Sequence, residues 1–144
     1  MVAHALHNNR NNRSGPFGLV VSGEAGEFAD ALSLIVGPRW LETYKVDSDG
    51  EVIHLVQAGL IDAVVLDEAV AEIDVLALLR MIRFLNESLL VVLLATRVDR
   101  RRLAEALRLA AFSVITKPLG LEELLAQIHR MMVRLETTIR TDRL

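Results

Sequence analysis

From about residue 16 onward, short apolar runs alternate with amphipathic stretches along the chain. Residues 17–21 form an apolar run that stops at Ser22-Gly23. Residues 24–36 follow with Phe28, Leu32 and Ile35 on one helical face, and Gly37-Pro38 ends that helix. Residues 41–46 alternate as a strand. Ser48-Asp49-Gly50 reads as a turn with a helix N-cap. A short helix over 50–58 carries Val52, Leu55 and Val56 and stops at Gly59. Residues 63–66 are apolar throughout and end at Asp67. A helix over 73–86 turns Ile73, Leu76, Leu79 and Ile82 inward. Residues 89–95 are a third unbroken apolar run, followed by a helix over 99–110 with Leu103, Leu107 and Ala110. A last strand over 112–116 leads into Lys117-Pro118. The final helix begins near Gly120 and reaches the late 130s, with Leu121, Leu124, Leu125, Ile128, Met132 and Leu135 in one stripe.

Five strand–helix units in strict alternation call for an α/β fold, a doubly wound five-stranded parallel sheet with helices on both faces. The runs at 63–66 and 89–95 are apolar at every position, as strands covered on both faces should be. One folded unit is expected over 16–137. It is flanked by an N-terminal tail over 1–15, rich in Asn and Arg, and by a C-terminal tail or helix extension over 138–144, where Ile139 continues the apolar stripe. His4 and His7 stand at helical spacing in that first tail with no further ligand nearby, so they read as solvated rather than as a metal pair.

Composition narrows the function. The 144 residues are 52% hydrophobic, enough for a buried core. The net charge is -3, so no strongly basic face announces a nucleic acid as partner. Cysteine is absent, which removes disulfides, thiolate metal sites and a cysteine nucleophile. There is no signal-peptide core at the N-terminus and no run long enough to span a bilayer, so a cytoplasmic protein with no membrane association is expected. Arginine outnumbers lysine 14 to 2, and one of the two lysines is Lys117. That choice fits a position where a compact ammonium matters.

In an open parallel sheet, sites form at the carboxyl ends of the strands. Here the first strand ends in Ser22-Gly23-Glu24, the third in Asp67-Glu68, the fourth in Ala95-Thr96 and the fifth in Thr116-Lys117-Pro118. One carboxylate and one ammonium therefore enter the same crevice from separate strands, each straight after an apolar run. Partly desolvated charges need a partner, and these two can supply one another. Gly23-x-x-Gly26 lacks the Gly-Lys-Ser/Thr ending of a nucleotide-binding loop and reads as a tight turn. His54 and His129 fall in helices, at surface positions.

These segments resemble the receiver domain of bacterial response regulators, from about residue 17 to 135. The resemblance is carried by residues 61–80 (IDAVVLDEAVAEIDVLALLR), 91–96, 105–111 and Thr116-Lys117-Pro118. It implies the flavodoxin-like receiver topology with strand order 2-1-3-4-5. It implies Asp67 as the aspartate that accepts a phosphoryl group from a histidine kinase, and Lys117 as the pocket lysine that neutralises the phosphoryl oxygens. Pro118 also matches and is the candidate for a cis peptide bond.

The departures lie in the same pocket. The family's acidic, Mg²⁺-holding pair after the first strand is replaced by Ser22 and Gly23. Glu24 and Asp67 are the remaining candidate metal ligands, and a helix-start residue such as Glu24 is expected to face solvent. Mg²⁺ is therefore expected to bind weakly. The family's hydroxyl position after the fourth strand is Ala95 by ungapped counting, or Thr96 with a loop one residue shorter. The family's aromatic residue is replaced by Val114. The expected consequence is a direct Asp67–Lys117 ion pair that makes the pocket structural.

The function expected from the sequence is an atypical receiver acting through protein–protein interaction, not an enzyme, with phosphorylation at Asp67 impaired or lost. One alternative is an ordinary Mg²⁺-dependent acceptor, with Glu24 completing the metal site. Another is a flavodoxin-like small-ligand binder. Partners are expected to be a histidine kinase or another signalling protein, with a homodimer through the 99–135 face as a further option.

Overall fold

The computed structural model describes residues 15–97 and 99–143, with side chains through residue 136. His4, His7 and the side chain of Ile139 lie outside them. Within the described residues the elements run β1 (Phe17–Ser22), a 3-10 helix (Gly23–Phe28), α1 (Ala29–Val36), β2 (Leu41–Val46), α2 (Asp49–Ala58) and β3 (Ala63–Asp67). They continue with α3 (Val75–Leu85), β4 (Leu90–Ala95), α4 (Arg100–Arg108), β5 (Ser113–Thr116) and α5 (Leu121–Arg143). The sheet order is β2-β1-β3-β4-β5, and every neighbouring pair is parallel. This is the doubly wound α/β fold that the alternation predicts.

The two-residue period of the strands divides the core into two layers. Leu19, Val21, Ala63, Val65, Val92, Leu94 and Ile115 face one side, against Leu32 of α1 and Leu124, Ile128 and Met131 of α5. Val20, Val64, Leu66, Val91 and Leu93 face the other, against α2, α3 and Ala106 of α4. Both faces are covered, so the central strands have no room for a polar position until they end. Polar side chains therefore collect at the carboxyl ends of β1, β3 and β5, where the site is built.

Several helix faces differ from the sequence reading. Ile35 is 56% exposed, because the first turns after β1 are 3-10 and shift the inward face to Phe28, Leu32 and Val36. Ile73 is exposed, because Asp74 caps α3 through the Leu76 N–H and the helix starts only at Val75. Leu107 is 54% exposed, and Ala106 is the buried residue of α4. This helix ends at Arg108 and leaves Ala110 at φ 63°, a left-handed residue without the glycine that usually stands there. Met131, outside the predicted stripe of α5, is fully buried.

Two polar anchors hold the opposite end of the sheet. Asp62 is buried just before β3 and accepts the Gly18 N–H at 2.8 Å. Arg83 of α3 donates to the carbonyls of Asn86, Leu89, Leu109 and Ala110. One guanidinium thus ties the C-terminal ends of α3 and α4 to the start of β4, where carbonyls lack helical partners.

Candidate functional site

β1, β3 and β5 deliver their last residues to one end of the sheet, and Asp67 is the centre of what they assemble. Its side chain is only 2% exposed. Each carboxylate oxygen has donors. Oδ1 accepts from Lys117 Nζ at 2.8 Å and from the Ala69 N–H at 2.9 Å. Oδ2 accepts from the Glu24 N–H at 2.9 Å. Burial alone pushes the Asp67 carboxyl pKa up, but the Glu24 amide, the Lys117 ammonium and the Ala69 amide together outweigh it and hold the pKa below the usual carboxylate value. The direct ion pair expected from the strand ends is present.

The backbone around Asp67 is equally well tied. Ser22 Oγ accepts the Asp67 N–H at 2.9 Å. The serine at the first acidic-pair position thus fixes the strand end rather than facing a ligand. Gly23, at the second, stands at φ 55°. A β-carbon there would lie 2.4 Å from Asp67 Oδ2 and 2.6 Å from Val70 Cγ2. No side chain fits, acidic or otherwise, because the loop has closed onto the aspartate.

Glu24 turns inward, against the sequence expectation that it faces solvent. The positive φ of Gly23 and the 3-10 turn redirect the chain. Glu24 Oε1 then accepts the Leu119 N–H at 2.9 Å, and Oε2 stands 3.9 Å from Lys117 Nζ. One lysine, 20% exposed at its side chain, is therefore shared between a close and a more distant carboxylate. The Lys117–Pro118 peptide bond is cis.

The hydroxyl and aromatic positions implied by the resemblance lie on β4 and β5. Lys117 N–H bonds to the Ala95 carbonyl at 2.9 Å, and Ala95 pairs in register with Thr116. Ala95 thus occupies the strand end without a gap. Thr96 is exposed beyond it, and its N–H donates to Glu68 Oε2 at 3.0 Å. Val114 pairs with Leu93 across the two strands. Neither an aromatic ring nor an inward hydroxyl stands at these positions.

A sequence family and a set of solved structures agree with this geometry. Residues 24–129 match the family model of the response regulator receiver domain. The chain belongs to that family. Among solved structures, a CheY-like receiver domain protein from Methanospirillum hungatei shares 14% identity at a TM-score of 0.74, over 86% of this chain and 99% of that one. A two-component response regulator from Clostridium difficile shares 17% identity at a TM-score of 0.69, over 83% and 98%. The HemR receiver domain from Leptospira biflexa shares 19% identity at a TM-score of 0.68, over 80% and 93%. These likenesses show the fold. No curated protein sequence matches the chain.

The resemblance implies Mg²⁺ beside the acceptor, and the described residues offer that ion two carboxylates, Asp67 and Glu24, rather than a full ligand set. Mg²⁺ wants near-octahedral oxygens at close range. Both Asp67 oxygens already accept hydrogen bonds, and the Gly23 backbone occupies the space beside Oδ2. Among the described residues no group of three or more His, Cys, Asp or Glu is placed to hold a metal. Nor is any described helix long and apolar enough to cross a membrane.

Sequence reasoning missed two contributors. Asp49 accepts the Glu72 and Ile73 N–H groups at 3.1 and 3.0 Å, pinning the loop after β3 to the start of α2. Arg102 of α4 reaches Asp74 at 3.1 Å and Glu68 at 3.6 Å, pinning the same loop from the other side. The acids Glu68 and Asp74 hint at a basic partner such as Arg102, while the partners of Asp49 are backbone groups that no residue type announces.

Proposed function

We propose that this receiver domain signals by protein contact, with phosphorylation at Asp67 impaired or lost and Mg²⁺ bound weakly at best. The observation that carries this reading is the closeness of Gly23 to Asp67. An attacking carboxylate needs a free oxygen, an open face for the phosphoryl donor and a cation to neutralise the transferred group. Here the ammonium is already spent on Asp67 itself, and the Gly23–Glu24 backbone covers Oδ2. The Asp67 charge is paired by Lys117 with no metal. In this reading Asp67 and Lys117 tie the loops after β3 and β5 together, and the domain presents a constitutive surface to a histidine kinase or another signalling protein in the cytoplasm.

A second reading is an ordinary Mg²⁺-dependent acceptor, phosphorylated on Asp67 by a histidine kinase. The inward turn of Glu24 favours it, because that carboxylate is a second oxygen ligand in reach of the pocket. Intact mass after incubation with a small phosphodonor, with and without Mg²⁺ and alongside Asp67→Asn, separates the two. No added phosphoryl group at high Mg²⁺ supports the contact-based reading. A Mg²⁺-dependent gain of one group that Asp67→Asn abolishes overturns it.

A further inference from the structure

The small side chains of Ala95 and Val114 leave a hollow at the ends of β4 and β5. Ala95 and Val114, with Leu76 of α3 and Leu103 of α4, line a crevice of about 80 Å³ that opens to the surface between α3 and α4. Each of these four side chains is only half-buried. The reason lies in α4: its one fully buried side chain is the small Ala106, so the helix spans the gap without filling it. An engineered apolar cavity of about 150 Å³ takes benzene. The smaller volume here suits a branched aliphatic group rather than a ring.

The rim says what should carry that group. Every acid beside the crevice is already bonded. Glu68 accepts the Thr96 N–H and pairs with Arg102, Asp74 pairs with Arg102, and Asp99 caps the Arg101 and Arg102 N–H groups. Arg97 lines the crevice and Arg100 and Arg101 open α4 next to its lining residues Asp99 and Arg102; all three are exposed, and among the described residues they make no ion pair. The opening is apolar within and cationic around.

We infer that this crevice is the docking site for an acidic segment of a partner protein that inserts one leucine-like side chain between α3 and α4. The aliphatic anchor supplies buried apolar area, and the acidic flanks meet Arg97, Arg100 and Arg101. This deepens the contact-based reading above and rests on it. The phosphodonor experiment tests that reading alone. A chain that takes no phosphoryl group and also ignores an acidic leucine peptide therefore overturns the partner chemistry and leaves the reading standing.

The test is an amide chemical-shift titration of the full chain with a seven-residue peptide of Asp and Glu around one central leucine. Saturable shifts centred on Ala95, Leu103 and Val114 are expected, with at least tenfold weaker binding when alanine replaces the leucine. Val114→Phe fills the crevice and should weaken binding at least tenfold. The Arg100→Glu, Arg101→Glu double variant changes only exposed side chains, keeps the fold, and should weaken it at least fivefold. The proposal is overturned by unmoved amides at millimolar peptide, or by equal binding of the leucine and alanine peptides. Equal binding of a lysine-flanked peptide overturns it too. Isobutyrate alone saturating the same amides as tightly would assign the crevice to a small ligand instead. Concentration-dependent shifts without peptide would assign it to a second copy of this chain.

Discussion

Replacing Lys117 by Met removes the ammonium and keeps the aliphatic stem, so it isolates the charge. The Asp67 carboxylate would then stand at 2% side-chain exposure with two amide donors, Glu24 and Ala69, and no cation. Breaking a fully buried ion pair from one side costs about 3–5 kcal/mol. The loss here is smaller, because the two amides remain and the lysine end of the pocket is 20% exposed, which lets water in. A hydrogen bond to a charged group contributes about 1.5–3 kcal/mol, and we expect Lys117→Met to destabilise by about 2–3 kcal/mol.

Urea denaturation at pH 7 followed by circular dichroism measures this directly. The companion variants are Asp67→Asn and the double replacement. If the two side chains stabilise each other, the double-mutant cycle returns a coupling of about 1.5–2.5 kcal/mol. Mg²⁺ belongs in the same experiment, because a ligand that binds only the folded state raises its stability in proportion to occupancy. The parent should unfold at the same midpoint with and without 10 mM-range Mg²⁺ at matched ionic strength. A Lys117→Met loss below about 0.5 kcal/mol, with an unchanged Mg²⁺ response, would refute the claim that this pair holds the pocket shut.

Four further outcomes follow from the same geometry. Gly23→Ala should cost about 3 kcal/mol or more by denaturant unfolding, since its β-carbon meets Asp67 and Val70 at a left-handed backbone position. The lowered Asp67 pKa contributes stability that is fully present above the unfolded carboxyl value of about 3.9 and is lost as pH falls through the lower folded value. Asp67→Asn should therefore flatten part of the acid limb of a stability–pH curve, and only part, because Asp74 and Glu105 also titrate below their usual range. Arg83→Ala should destabilise by about 2–4 kcal/mol through the carbonyls it leaves unpaired, while Arg83→Lys recovers little of it. Ala110→Gly should stabilise by about 0.5–1 kcal/mol in thermal or urea unfolding, the relief of left-handed strain being partly offset by the freer unfolded chain.

The fold was legible because both faces of the sheet are covered. That condition makes β3 and β4 read as unbroken apolar runs, and it makes Asp67 and Lys117 stand out as the first charges after them. The two were assigned to one crevice from strand ends alone, and the ion pair follows from desolvation. The direction of Glu24 was not legible. It depends on the backbone of Gly23, and a glycine in a sequence does not declare the sign of its φ. The outward positions of Ile35 and Leu107 were hidden for a related reason, since a 3-10 turn or an early helix end rotates a face without changing its residues. Asp62, Asp49 and Arg83 were missed because their partners are backbone groups, which carry no residue-type signal. The choice between Ala95 and Thr96 turns on one residue of loop length, which the sequence does not show; in the structure Ala95 pairs with Thr116 and Thr96 lies beyond the strand.

The pocket pairs an aspartate and a lysine at two strand ends, and the physics gives a reason for holding both. Each of the two is a charge at a strand end with little water around it. Losing either strands the other, at a cost of about 2–3 kcal/mol, whether or not any phosphoryl group is ever transferred. Ser22 and Gly23 carry no charge to strand: Ser22 accepts the Asp67 N–H and Gly23 lets the chain close over the carboxylate. Asp67 and Lys117 would thus persist in a working acceptor and in an idle one alike. Their presence identifies the ancestry of the pocket and says little about its chemistry. The residue on which the proposed loss of phosphorylation rests is Gly23, where a β-carbon would lie 2.4 Å from Asp67 Oδ2.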